Sequence, residues 1–170
     1  MKTTASKSTS RTASSRTTSR TKGVQAVPKG FNTVTPYLMA ENAQGLLDFI
    51  ERGLNGKTEY KLNSDDGKVM HASVRIGNSP IMISDVMEGQ EVINAMLYLY
   101  VDNVDELYEQ ALGVGGASSV RELKDELYGD RAGCVEDEWG NKWWIATHIE
   151  DVSKEELEER KSKLMSENHA

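Results

Sequence analysis

Between Thr33 and His148 one order of elements is written twice: a strand, an amphipathic helix, then three strands in succession. Few architectures accept such a repeat, because each unit must bury one helix face against one sheet face and then do the same again. In the first unit, Thr33–Ala40 alternates as a strand, and Pro36 places it at an edge. Glu41-Asn42 opens a helix whose Leu46, Leu47, Phe49, Ile50 and Leu54 recur at helical spacing, with Gly56 just beyond its end. Three strands follow, over Thr58–Leu62, Val69–Ile76 and Pro80–Val86, separated by the turn sequences Asp65-Asp66-Gly67 and Gly77-Asn78-Ser79.

The second unit repeats the order. A strand is expected over Ala95–Val101. Asn103 then caps a helix from Val104 to Leu112, which Gly113, Gly115 and Gly116 close. Strands over Val120–Leu127, Ala132–Glu136 and Lys142–His148 complete it, with Asp137-Glu138-Trp139-Gly140 turning between the last two. The match between the halves lies in pattern more than in identity, and it indicates an internal duplication. After it, Ser153-Lys154-Glu155-Glu156 has the spacing of a capping box and starts a last helix, supported by Glu156–Arg160 and Glu159–Lys163 pairs. The domain division expected is a basic Ser/Thr-rich tail over 1–30, the paired domain over 31–152 and a helical arm over 153–170.

Composition removes several function classes. Residues 1–22 hold six basic side chains and no acidic one, and lack the apolar surface needed to offset chain entropy, so a disordered tail is expected there. The remaining residues carry 14 Lys and Arg against 27 Asp and Glu, and an acidic domain repels phosphate backbones; no nucleic-acid partner is expected for it. No apolar run approaches a membrane span, and the single cysteine, Cys134, excludes an internal disulfide and a cysteine-rich zinc site. A cytoplasmic location is the expectation. Ser84-Asp85 has no nucleophile elbow, and no glycine-rich phosphate loop precedes a helix.

Three stretches in order carry a resemblance: Val34-Thr-Pro-Tyr-Leu38, then Gly67-Lys-Val-Met-His-Ala-Ser-Val-Arg-Ile-Gly77, then Tyr128-Gly-Asp-Arg-Ala-Gly133 leading into Asp137-Glu-Trp-Gly-Asn-Lys-Trp143 and Ala146-Thr-His-Ile-Glu-Asp151. Together they resemble the PhnB-like branch of the glyoxalase/bleomycin-resistance/dioxygenase (vicinal oxygen chelate) superfamily. The resemblance implies an α+β fold of two βαβββ modules curled into a half-barrel around a pocket, and a homodimer. It also implies places where metal-dependent members keep ligands, on the first and fourth strands of each module. Here those places hold Thr35, Met82, Met96 and Trp144. Threonine is a weak ligand, methionine a soft one, and indole only a donor, so no metal and no cofactor are expected.

Strand alternation then points Thr35, Tyr37 and Met39, Met96, Tyr98 and Tyr100, and His71, Ser73 and Arg75 to the pocket side, while Met70, Ala72, Val74 and Ile76 face the helices. The ligand-binding set is Tyr37, His71, Arg75, Met82, Met96, Tyr98 and Trp144, a lining suited to a small organic molecule with a planar part and a polar handle. The alternative is a lyase, isomerase or dioxygenase-type enzyme, with His71 as base or with relocated metal ligands. Each residue also has a plainer role: Arg75 pairing a surface carboxylate, the aromatics serving as core, Asp130-Arg131 forming an ion-paired loop, and His148, Glu150 and Asp151 belonging to a solvated charged run.

Overall fold

A computed structural model describes residues 23–167, so the expected tail over 1–22 lies outside the described residues. Each βαβββ unit forms one four-stranded mixed sheet. The first contains β1 (Tyr37–Ala40), β2 (Lys57–Asn63), β3 (Val69–Ile76) and β4 (Ser79–Asp85), in the order β1-β4-β3-β2, with helix α1 (Ala43–Gly53) after β1. The second contains β5 (Met96–Tyr100), β6 (Ser118–Asp125), β7 (Asp130–Glu136) and β8 (Lys142–His148), in the order β5-β8-β7-β6, with α2 (Val104–Leu112) after β5. The first strand of each unit pairs parallel with its fourth, and the remaining pairs are antiparallel. Among the described residues no barrel closes: the fold is α+β, in two modules.

The duplication reaches individual atoms. Asn42 and Asn103 stand at matching places and cap their helices alike, each side-chain oxygen accepting an amide hydrogen three residues on, at 3.2 Å from Gly45 and 3.3 Å from Glu106. The next free amide is taken by the last strand of the unit: Ala43 N–H donates to Asp85 at 2.9 Å, and Val104 N–H to the Thr147 hydroxyl at 2.9 Å.

Leu46, Leu47, Phe49 and Ile50 of α1, and Val104, Leu107, Tyr108 and Ala111 of α2, join the inner faces of both sheets in one hydrophobic core. Burial of each large side chain contributes roughly 1.5–3 kcal/mol. Two tryptophans fasten the modules together. Trp143 of β8 is fully buried, its ring 6.1 Å from that of Phe49. Trp139, in the β7–β8 turn, donates its indole N–H to the Glu41 carbonyl and lies on Gly45, where an added Cβ would come within 2.8 Å of Trp139 Cζ2.

Several expectations need correction, among them β6, which runs from Ser118 to Asp125 and not from Val120 to Leu127. The first strand starts at Tyr37, four residues late, because Thr35 Oγ1 folds back to the Asn32 carbonyl at 3.0 Å and Pro36 has no N–H for a ladder. Met70 does not face a helix and is 58% exposed. The β2–β3 ladder shifts between Leu62 and Asn63, and Val69 takes the buried place, its amide donating to Asp85 at 2.6 Å.

After the domain, α3 (Lys154–Glu167) starts on Ser153, whose hydroxyl accepts from Glu156 N–H at 3.1 Å. None of its described residues is buried; it is held by Arg160, which forks onto Glu150 at 2.7 and 2.9 Å.

Candidate functional site

The parallel and antiparallel registers line up one row on each sheet, on the face away from the helices, with Ser73 and Cys134 buried within it. On the first sheet it runs Tyr37, Met82, Ser73, Tyr60. On the second it runs Tyr98, Trp144, Cys134, Arg121. The places level with Met82 and Trp144 are therefore Tyr37 and Tyr98, each two residues beyond the expected Thr35 and Met96. With either set the donor chemistry does not fit a divalent ion. Among the described residues, no three His, Cys, Asp or Glu side chains are grouped to hold one.

The first-sheet row is ordinary in its polar chemistry. The His71 ring lies 6.0 Å from that of Tyr37 and 6.3 Å from that of Tyr60. Arg75 is committed elsewhere: Nε and Nη2 fork onto Glu59 at 2.7 and 2.8 Å, and Nη2 also donates to the Gly30 carbonyl at 2.9 Å.

The second-sheet row is more unusual. Tyr98 and Trp144 lie parallel, 6.0 Å between ring centroids and 7° between planes, and the Arg121 guanidinium carbon sits 5.2 Å from the centre of the Trp144 ring. Tyr100 joins at 5.2 Å from Tyr98. Ala146 and Ala132, both fully buried, form the floor of the next row, and their small side chains let the tyrosines lean along the sheet. Both hydroxyls then reach one carboxylate: Tyr100 donates to Asp130 Oδ2 at 2.9 Å and Tyr98 at 3.3 Å.

Asp130 is the residue that sequence reasoning misplaced. It opens β7 instead of lying in a surface loop, and it is 1% exposed. Alternation sends the adjacent Arg131 to the opposite face, where it pairs with Asp105 and Asp125 at 2.7 and 3.1 Å. His148 also leaves the solvated run: Nδ1 lies 2.7 Å from Asp130 Oδ1 and Nε2 3.1 Å from Asp151. Burial pulls the Asp130 pKa up, but the hydrogen bonds of His148, Tyr100 and Tyr98 outweigh it and hold the carboxyl below its usual range. The Asp130 contact, then that of Asp151, raises the His148 pKa. Burial, then Tyr128 and Asp130, raises that of Tyr98. The signal available in sequence was the alternation Asp130, Ala132, Cys134, once β7 is started two residues earlier.

The directions of these shifts fix a pH window. The depressed Asp130 contributes stability above the ordinary aspartate range and loses it as pH falls through its lowered value. The elevated His148 contributes fully below the ordinary imidazole range and loses it as pH rises through its raised value. The pair is therefore most stabilising in mildly acidic solution. The His148 ring protons are expected to titrate above the ordinary imidazole midpoint of about 6.5, and Asp130→Asn to lower that midpoint; an unchanged midpoint in the variant rejects the coupling.

An open cleft of about 730 Å³ separates β5 from the first module, lined by Asn32, Val34, Ser79, Pro80 and the run Leu97–Val101. Of the expected ligand-binding set, only Tyr98 lines it. Tyr37, His71 and Met82 stay together on the first sheet and Tyr98 and Trp144 on the second, with Met96 exposed at the start of β5. None of the described helices is long and apolar enough to cross a membrane.

No family model matches the chain. An uncharacterized protein of Mycobacterium tuberculosis, Rv0887c, is 28% identical over 136 residues, spanning 74% of this chain and 79% of that protein. Among solved structures, protein PA1353 of Pseudomonas aeruginosa is similar at a TM-score of 0.58 and 23% identity, covering 69% of this chain and 98% of that one. A glyoxalase/bleomycin resistance protein/dioxygenase family enzyme of Burkholderia phytofirmans is similar at 0.55 and 15%, covering 66% and 95%. The PhnB protein of Bacillus cereus is similar at 0.53 and 15%, covering 68% and 99%. At these identities the likeness is one of fold, and the fold is that of the glyoxalase/bleomycin-resistance/dioxygenase proteins, PhnB-like members included.

Proposed function

We propose that the chain binds a small planar organic molecule, without a metal, on the outward row of its second sheet. The observation that carries this reading is the layered set of Tyr98, Trp144 and Arg121, which offers two aromatic faces and a cation within one row. The poor donor chemistry at Tyr37, Met82, Tyr98 and Trp144 supports metal independence.

A second copy of the chain completes the pocket in this reading. The outer edges of β1 and β5 have no strand partner among the described residues, and Tyr37, Met96, Tyr98 and Tyr100 are exposed beside them. A homodimer would cover those edges and bring the row Tyr37, Met82, Ser73, Tyr60, with His71 beside it, towards the site. The polar handle of the ligand falls to Arg121, since Arg75 is held by Glu59.

A thermal-shift screen of planar aromatic phenols and carboxylates tests the binding. A ligand present at about 100 times its Kd stabilises the folded state by about 2.7 kcal/mol, and Trp144→Ala is expected to remove that gain. A screen with no stabilising compound, or gains that survive Trp144→Ala, rejects the site. Light scattering on the same sample should give twice the 18.9 kDa chain mass; a monomer removes the second copy from the reading.

A further inference from the structure

On the binding role just proposed rests one step more: we propose that Glu126 sets the charge preference of the second-sheet row, which takes an uncharged planar phenol and turns away the matching carboxylate. Arg121 is the cation of the row, its guanidinium carbon 5.2 Å from the centre of the Trp144 ring. It does not act alone, because its Nη2 donates to Glu126 Oε1. Glu126 follows β6 directly, in the turn into β7. Its amide donates to the Asp130 carbonyl at 2.7 Å, and its carbonyl accepts from Gly129 N–H at 3.1 Å. The backbone that carries the carboxylate is therefore fixed, and the side chain is only 10% exposed, against 37% for Arg121.

Such a pair leaves hydrogen-bond donors but little net charge. Among the described residues, Nη2 is the one nitrogen of Arg121 with a hydrogen-bond partner, so Nε and Nη1 keep hydrogens to offer. A neutral hydroxyl oxygen seated on the row can accept one of them. A carboxylate meets the same donors, yet it must shed water beside a guanidinium that another carboxylate already neutralises. Because Glu126 is withdrawn from solvent, water and salt screen that repulsion weakly. The like charge thus cancels much of the attraction that Arg121 would otherwise give an anion.

The neighbouring charges do not supply a substitute cation. Lys124 also approaches Glu126, but its Nζ stands 3.8 Å from Oε2 and its side chain is 57% exposed, so water weakens its pull. Asp130, which the Tyr98 hydroxyl reaches, adds a negative charge that His148 answers. Asp125 pairs with Arg131, on the opposite face.

The test titrates the full chain with 2-naphthol and 2-naphthoate by calorimetry. The two share one ring system, and at neutral pH the first is uncharged and the second an anion. The wild-type protein is expected to bind 2-naphthol about tenfold tighter. Glu126→Gln keeps the shape and an oxygen for Arg121 while removing the charge. It should tighten 2-naphthoate about tenfold and leave 2-naphthol nearly unchanged, whereas a merely structural role would move both Kd values together. Glu122→Gln is the control, because Glu122 accepts from Ser119 on the helix side, where Ser119 also accepts from Tyr108. It removes the same charge away from the row and should change neither Kd. Circular dichroism verifies that both variants keep the fold. If Glu126→Gln leaves 2-naphthoate binding unchanged, or Glu122→Gln tightens it as much, the role of Glu126 is overturned and the binding reading stands. If neither probe binds the wild-type protein or Glu126→Gln, both are rejected.

Discussion

Replacing Gly129 with alanine is expected to cost about 3 kcal/mol or more and to disrupt the edge of the second module. Gly129 turns the chain from β6 into β7 with a φ of +92°, a conformation that L side chains rarely adopt. Its carbonyl accepts both Ile149 N–H at 2.8 Å and Glu150 N–H at 3.0 Å, so the segment after β8 is laid directly across it. A Cβ at this place would stand 1.9 Å from the Glu150 carbonyl oxygen, a backbone atom that cannot rotate away. The hydrogen-bonded strand end must move, and His148 and Glu150 move with it. Gly67→Ala separates the two causes, since φ there is +87° and an added Cβ meets nothing within 4 Å. That variant should lose only the left-handed penalty of about 1–2 kcal/mol. Urea unfolding of the two proteins side by side gives the comparison, and equal losses would show that the close approach to Glu150 is immaterial.

The largest single packing contribution belongs to Trp143. Trp143→Ala is expected to destabilise by about 3–5 kcal/mol, the range for removing a buried aromatic side chain. The loss has two parts. The ring is fully buried against Phe49, so its removal leaves a void where the helix of one module meets the sheet of the other. Its indole N–H also donates to Asp137 Oδ2 at 2.9 Å. Asp137 is a buried carboxylate, raised in pKa by that burial, and is served as well by the Trp139 and Asn141 amides and the Asn141 side chain. Trp143→Phe keeps most of the volume and removes only the donor, which should cost about 1–3 kcal/mol. Denaturant midpoints of the three proteins rank these contributions, and a phenylalanine variant as unstable as the alanine one would assign the whole effect to the Asp137 bond.

Much of the fold was legible because its two periods differ so plainly. Leu46, Leu47, Phe49, Ile50 and Leu54 recur at helical spacing, and all are buried. Val104–Leu112 and Lys142–His148 match their elements residue for residue, because Asn103 caps the helix and Gly140 closes the turn before the strand. The start of β1 was less legible, since Thr35 bonds back to Asn32 and that choice depends on a three-residue turn and not on alternation. The site was harder still. Asp130 and Arg131 are neighbours of opposite charge, which reads as an ion pair, yet a strand sends them to opposite faces. The partners of Arg75 and His148 lie 16 and 18 residues away, so they are set by ladder register, which local pattern does not carry. Nor does the repeat disclose that Tyr37 and Tyr98 lie on separate sheets.

The matched helix caps carry a further implication. Asn42 and Asn103 do the same work, whereas their supporting partners, Asp85 and Thr147, already differ in chemistry. The backbone needs of each half are thus met by a few positions, and the outward row is free of them. Tyr37, Met82, Ser73 and Tyr60 can drift without reference to Tyr98, Trp144, Cys134 and Arg121. In the binding role proposed, such a molecule would hold a second row that can vary independently of the first. One row could change while the other is kept, with least cost to folding at the exposed Tyr37 and Tyr60 and more cost at the buried Ser73 and Cys134.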